Sequence, residues 1–407
     1  MKTPFVPLKP FDYQIKLKDY LQKNEKIWKW FSDDKAKKEH FENFKKEILK
    51  DSYRMDAQTH PEVFEMLDEI KEKLNLPIKI TLYQEQLSYQ NNVGIVFYQD
   101  EAHIVLSGNV IKFLSPEELK AVLAHELYHY FLFAIDDKAF EIADRIITSI
   151  ANDDDSPPVY LETARLFKLY TELYCDRGAY EIMGDIQPVI SALVKLSTGI
   201  DKVNAESYIA QADEILEDSG EIAGGTSHPE TFIRAKALDL WIKKKEEACE
   251  EIQKMIEPKI DFEKLDIFSQ EKLQDLTRRL ILIFLKPHWA KTDRIVNMAK
   301  EYFPGIVVNE EVDVEKTFDE IAGTANSTKK YLAYVLLDFA LVDTGLDHVP
   351  LGYAFELAEY AKIKDEFNLI VKKELNLGVR KLSELQKEAM AELNQINESK
   401  QDSLYGE

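Results

Sequence analysis

Cysteine is nearly absent: a chain of 407 residues holds two, Cys175 and Cys249. That excludes a disulfide framework and a cysteine-rich zinc module. Glycine and proline are scarce as well, at 14 each, which rules out a collagen-like or low-complexity chain. No apolar run approaches the ~20 residues that a membrane-spanning helix needs. Leu280–Leu285 and Leu332–Val342 come nearest, and the second contains Asp338. Basic charge is in deficit, because 52 Lys and Arg face 74 Asp and Glu for a formal net charge of −22. A nucleic-acid partner is therefore not expected, since phosphate binding needs a basic face. An anionic membrane surface is disfavoured in the same way. The opening residues MKTPFVPLKPFDYQIKLKD contain no apolar h-region, so no cleaved signal peptide is expected, and the expected location is cytoplasmic.

The composition that remains is globular, with 45% hydrophobic and 31% charged residues. At ~100–200 residues per domain, the length predicts two or three domains. Residues 1–75 read as a helical segment packing on the core, with apolar residues at helical spacing in FENFKKEIL and PEVFEMLDEIKEKL. IKITLY, VGIVFY and AHIVLS follow as short β-branched or aromatic runs, separated by the polar turns SYQNN and QDE. They predict a small antiparallel sheet. Helical periodicity then resumes, and Ser115-Pro116-Glu117-Glu118 predicts a capped helix start. The fold class expected is mainly α with a small antiparallel sheet (α+β). A core over 76–256 is followed by an all-α domain over 257–407, with the boundary near Glu257-Pro258. The closing residues NESKQDSLYGE read as frayed.

The chemistry sits in AVLAHELYHYFLF, where His125, Glu126 and His129 form H-E-x-x-H inside an apolar helix. Spacing of four places both imidazoles on one face, with Cβ atoms about 5–6 Å apart. Two nitrogens can then reach one Zn²⁺ at about 2.0–2.1 Å each. Glu126, next to the first histidine, suits a general base. Two histidines and a glutamate in an apolar segment would be costly without a strong partner. A catalytic zinc site also needs a third protein ligand and an open position. LYTELYCDRGAY offers Glu172, with Asp176 one turn later on the same face to orient a ligand. An ordinary solvated acidic face is the alternative for these two carboxylates. Cys175 reads as a packed thiol.

Three blocks now stand in order: LSPEELKAVLAHELYH, ELYCDRGA and SHPETFIRAKAL. Spanning roughly residues 75–245, they resemble the HtpX and CAAX-prenyl-protease group of gluzincin metallopeptidases, in its soluble branch. The resemblance implies a zinc-dependent endopeptidase acting on a peptide or protein. It implies one Zn²⁺ per chain held by His125, His129 and Glu172, with Glu126 as catalytic base. The family pattern E-x-x-x-D falls on Glu172 and Asp176, and H-P-x-x-x-x-R falls on His228, Pro229 and Arg234. A histidine on the loop before a helix suits oxyanion stabilisation, and Arg234 suits pairing with Asp176. The resemblance further implies a substrate-binding edge strand at Ala102, His103, Ile104, Val105 and Leu106, with a plain structural edge as the alternative. His103 reads as packing or solvent-facing rather than ligating, since three ligands are already assigned. Two features depart from the family. The membrane helices that flank the motif in embedded members are missing, and Val93 stands where alanine is common. Two alternatives stay open. One is a metal-stabilised binding or scaffold protein with little hydrolysis. The other is a latent protease shut by His228 or by the C-terminal helices.

Residues 330–375 read as two helices around the turn Asp343-Thr344-Gly345-Leu346-Asp347, and they resemble the helical TerB-like domains. That implies a module for a protein partner. A divalent ion at Asp343 and Asp347 competes with a plain capped helix-turn-helix, which is the preferred reading. The EF-hand pattern is absent.

Overall fold

The strand AHIVLS organises the first part of the molecule, because its apolar residues are buried on both faces. In the computed structural model, which describes residues 7–33, 35–86, 90–219 and 222–400, this strand lies inside a four-stranded sheet. Residues 401–407, expected to fray, and Ser88 and Tyr89 of the SYQNN turn lie outside the described residues. The strands are β1 (Ser52–Arg54), β2 (Lys79–Glu85), β3 (Asn92–Tyr98) and β4 (Glu101–Ser107), in the order β1-β2-β4-β3.

The sheet is mixed, which corrects the antiparallel expectation. β1 with β2 and β3 with β4 are antiparallel, but β2 and β4 run parallel. The reason is local. β3 and β4 form a hairpin through Gln99 and Asp100, with Gln99 at φ 53°, so β3 is carried outside β4 and serves as the excursion that a parallel pair requires. β4 takes the central place because Ala102, Ile104 and Leu106 are wholly buried. Ala102, His103, Ile104, Val105 and Leu106 therefore do not form an edge strand, since their backbone is paired on both sides. The free edge on that side belongs to β3. β1, only three residues long, is an element the sequence patterns do not predict.

Helices surround this sheet in a unit that ends at Glu257. Before it come α1 (Asp12–Gln22), α2 (Glu25–Ser32), α3 (Lys35–Asp51) and α4 (Pro61–Leu74). After it come the short α5 (Val110–Phe113), then α6 (Pro116–Ala134), α7 (Ala139–Ala151) and α8 (Pro158–Met183). α9 (Ile186–Thr198), α10 (Ala205–Ser219), α11 (Thr231–Lys244) and α12 (Cys249–Ile256) complete it. Tyr130 of α6 packs with Ile78 and Ala102 against the sheet. α6 crosses α8 closely at Gly178, where an added Cβ would stand 2.1 Å from the Tyr128 ring. Only glycine permits that approach.

The second unit, from Pro258, is helical among the described residues. It comprises α13 (Ile267–Phe284), α14 (Asp293–Tyr302), α15 (Val314–Ala322), α16 (Asn326–Leu341), α17 (Val349–Tyr360), α18 (Lys364–Glu374) and α19 (Val379–Lys400), around a core that includes Phe284, Phe339, Tyr353 and Phe367. Residues 330–375 thus hold three helices instead of two, because Lys362 adopts φ 58° and ends α17 without a glycine or proline to announce it. Asp343 acts as a turn cap: its Oδ1 accepts from the Gly345 N–H at 3.1 Å and lies 3.4 Å from Arg294 Nη1. Asp343 and Asp347 are not gathered into a metal-type cluster among the described residues. No helix among them is long and apolar enough to cross a membrane.

Gly178→Ala is expected to lower stability by about 1–3 kcal/mol through overpacking against Tyr128. A drop in the thermal unfolding midpoint measures it, and an unchanged midpoint contradicts the close crossing.

Candidate functional site

The helix that carries the paired histidines is fixed at its start. Ser115 Oγ accepts from the Glu118 N–H at 3.2 Å, and Glu118 Oε2 accepts from the Ser115 N–H at 2.8 Å, closing a capping box ahead of Pro116. The same buried carboxylate accepts from Lys195 Nζ at 2.8 Å and from the Ser191 hydroxyl, tying α6 to α9. Burial opposes ionisation of Glu118, but Lys195, Ser191 and the Ser115 amide outweigh it and hold its pKa below the usual value.

Two turns further on, three side chains converge. His125 Nε2 and His129 Nε2 are 3.2 Å apart. Glu172 Oε2 lies 3.3 Å from the first, and Glu172 Oε1 lies 3.5 Å from the second. Four donors held tetrahedrally at about 2.0–2.1 Å from Zn²⁺ are separated by about 3.3 Å. The two legs to Glu172 end on different oxygens of its carboxylate, but all three separations are close to that spacing, and two imidazoles and a carboxylate are donors that zinc takes. Cys175 adds a fourth possibility, because its Sγ lies within 4.8 Å of ligand atoms on both histidines. It is fully buried, and burial beside Glu172 and Asp176 pushes its pKa well up, so it stays a neutral thiol.

Behind the triangle, His125 Nδ1 lies 3.0 Å from Asp176 Oδ1. Arg234 grips that carboxylate with two parallel bonds, Nε to Oδ2 at 2.7 Å and Nη2 to Oδ1 at 2.6 Å. His228 Nε2 sits 3.5 Å from Glu172 Oε1, while its Nδ1 meets Ser227 Oγ at 2.8 Å. The His228 side chain is 59% exposed, far more than its neighbours.

The electrostatics follow from burial and pairing. Desolvation alone would lower the pKa of His125, but Asp176 and Glu172 outweigh it and raise it to about 10. Desolvation lowers that of His129 to about 4. Glu172 is held well below the usual range, because His125, His129 and Arg234 overcome its burial. For Glu126 the balance goes the other way: desolvation, helped by the Glu172 charge, outweighs His125 and Arg234 and lifts it to about 7. A cation entering the triangle has to displace the proton on His125.

These groups open on a cavity of about 300 Å³ lined by His125, Glu126, Glu172, Asp176, His228 and Arg234. Its lining is also partly apolar, with Val122 of α6 and Val189, Leu193 and Leu196 of α9. Asn91, Asn92 and Val93, at the start of β3, line another side. None of Ala102–Leu106 lines it. His103 is buried elsewhere, with Nδ1 3.1 Å from the Tyr83 hydroxyl and Nε2 3.2 Å from Glu101. The α9 wall escapes sequence reasoning, because its residues read only as one face of an amphipathic helix.

Comparison with known proteins adds a family. Residues 62–141 match the model of the SprT-like family, a stretch that runs from α4 through β2, β3, β4 and α6 into the first turn of α7 and stops before α8 and α11. This match does not confirm the HtpX and CAAX-prenyl-protease resemblance. The chain is similar to a named metallopeptidase. The plastoglobule-localized metallopeptidase 48, chloroplastic, of Arabidopsis thaliana is 29% identical over 197 residues, which cover 43% of this chain and 55% of that protein. The chain therefore spans about half the length of this relative. No solved structure matches.

Two measurements test the site. Elemental analysis is expected to find one zinc per chain, lost in His125→Ala and His129→Ala, while Asp176→Asn weakens zinc affinity about 10–100-fold. Glu118→Gln is expected to destabilise the protein at neutral pH. The deficit should shrink as pH falls through the depressed Glu118 pKa, where the wild-type carboxylate is also protonated. Thermal melts of both proteins from pH 7 to pH 3 read it, and a deficit that persists at the acid end contradicts it.

Proposed function

We propose that the chain is a zinc metalloendopeptidase, acting on peptide or protein substrates in the cavity beside the paired histidines. The observation that carries this reading is the triangle of His125, His129 and Glu172, sized for zinc, with the carboxylate of Glu126 on the same cavity wall. The similarity to a relative named a metallopeptidase supports it.

A zinc ion in that triangle supplies Lewis-acid activation of water and of the scissile carbonyl. The residues of the chain supply the rest. Glu126, its pKa near neutrality, takes the proton of the attacking water and returns it to the leaving amine. His228 faces the site through Nε2 and donates to the oxyanion. Asp176, locked by Arg234, keeps His125 turned with Nε2 inward. The free edge of β3, whose first residues line the cavity, takes an extended substrate backbone as an added strand. The wall of Val122, Val189, Leu193 and Leu196 then accepts an apolar substrate side chain.

Glu126→Gln is expected to retain zinc and to lower kcat on unfolded casein about 10²–10⁴-fold. Casein left intact by zinc-loaded wild type contradicts the reading. Leu193→Lys is expected to reduce kcat/KM for peptides with an apolar residue at the cleavage site by about 10-fold or more, with little effect on those lacking one. Equal losses for both peptide sets contradict the assignment of the α9 wall.

A further inference from the structure

The loop that carries His228 has no regular structure, yet it delivers that side chain to a fixed place beside Glu172. Its two ends are buried at Ala223 and Pro229, and the bend between them is largely exposed. The Ala223 N–H donates to Met255 O at 2.8 Å, and the Gly224 N–H donates to Glu230 Oε1 at 3.2 Å. Gly225 lets the loop fold back on itself, because a Cβ there would stand 1.9 Å from the His228 carbonyl oxygen.

One side chain outside the loop holds this bend. Arg165, on α8, donates through Nη1 to the carbonyl oxygens of both Ala223 and Gly225, at 3.0 Å each. The other side of its guanidinium is taken by Glu162, with Nε on Oε2 and Nη2 on Oε1, both at 2.7 Å. Both side chains are mostly buried, at 16% and 13% exposure. Glu162 thus aims the fork, and the planar guanidinium spans two carbonyls that a lysine cannot bridge with the same rigidity. Arg165 stands two turns before Glu172 on the same helix. A single rigid element therefore sets both Glu172 and the loop that brings His228 to within 3.5 Å of it.

We propose that Arg165, aimed by Glu162, is a positioning residue for His228, and that it works by clamping the Ala223 and Gly225 carbonyls to α8. The proposal rests on the peptidase reading, in which His228 meets the oxyanion. Its effect is on the turnover step, because the bonds of Arg165 go to Glu162 and to the two loop carbonyls and not to the His125, His129 or Glu172 side chains.

The test combines Arg165→Met, Arg165→Lys, His228→Ala and the double variant Arg165→Met/His228→Ala in the full chain loaded with zinc. Hydrogen–deuterium exchange is read on the 222–230 segment, and kcat and KM are read on casein-derived peptides. Arg165→Met is expected to speed exchange in that segment while leaving α6 and zinc content unchanged. It should lower kcat by at least about 10-fold with KM within twofold. Arg165→Lys should recover part of the kcat. The double variant should be no slower than His228→Ala alone, since a clamp has nothing left to position. Unchanged loop exchange, or kcat losses that multiply in the double variant, overturns the proposal. A zinc-loaded wild type that cleaves nothing overturns the peptidase reading instead, and loop exchange in Arg165→Met then decides the clamp by itself.

Discussion

The buried pair of Asp176 and Arg234 is the interaction on which the rest of the site depends. It joins α8 to α11 by two parallel charge-assisted bonds, and its carboxylate also faces the outer nitrogen of His125 on α6. Three helices thus meet at one carboxylate. Removing one partner of such a pair strands a buried charge, typically at a cost of about 3–5 kcal/mol. The pair also sets the electrostatic character of the centre. Arg234 keeps Asp176 ionised, Asp176 raises His125, and Arg234 helps hold Glu172 in its charged form. At Glu126 burial outweighs the pull of His125 and Arg234, and its pKa rises to about 7.

What the sequence makes legible is whatever lies within one helix. His125 and His129 share a face because four residues make about one turn, and Glu172 and Asp176 do so for the same reason. The capping box at Ser115 and Glu118 is equally local. What it conceals depends on partners far along the chain. AHIVLS reads as a strand, but its central place comes from the β3–β4 hairpin swinging outward, which no periodicity reports. The break between α17 and α18 at Lys362 has no glycine or proline to mark it. The apolar cavity wall of α9 and the grip of Arg165 on the 222–230 loop are likewise tertiary facts, carried by residues of ordinary type.

The family match and the site do not coincide in extent. The SprT-like model covers 62–141, which includes the paired histidines and Glu126. Glu172, Asp176, His228 and Arg234 all lie beyond it. The part of the chain outside the family model therefore contributes the third donor of the triangle, the carboxylate behind it and the loop over it.

The crossing at Gly178 has one more consequence. With no side chain between α8 and the ring of Tyr128, the distance between the two helices is set by backbone against an aromatic face, a contact with almost no give. Three and six residues before Gly178 on the same helix, at Cys175 and Glu172, the same spacing determines how far the carboxylate stands from the imidazoles. The triangle is accordingly held by the packing of α6 against α8. A methyl group inserted at that crossing therefore parts the two helices and the His125, His129 and Glu172 side chains together.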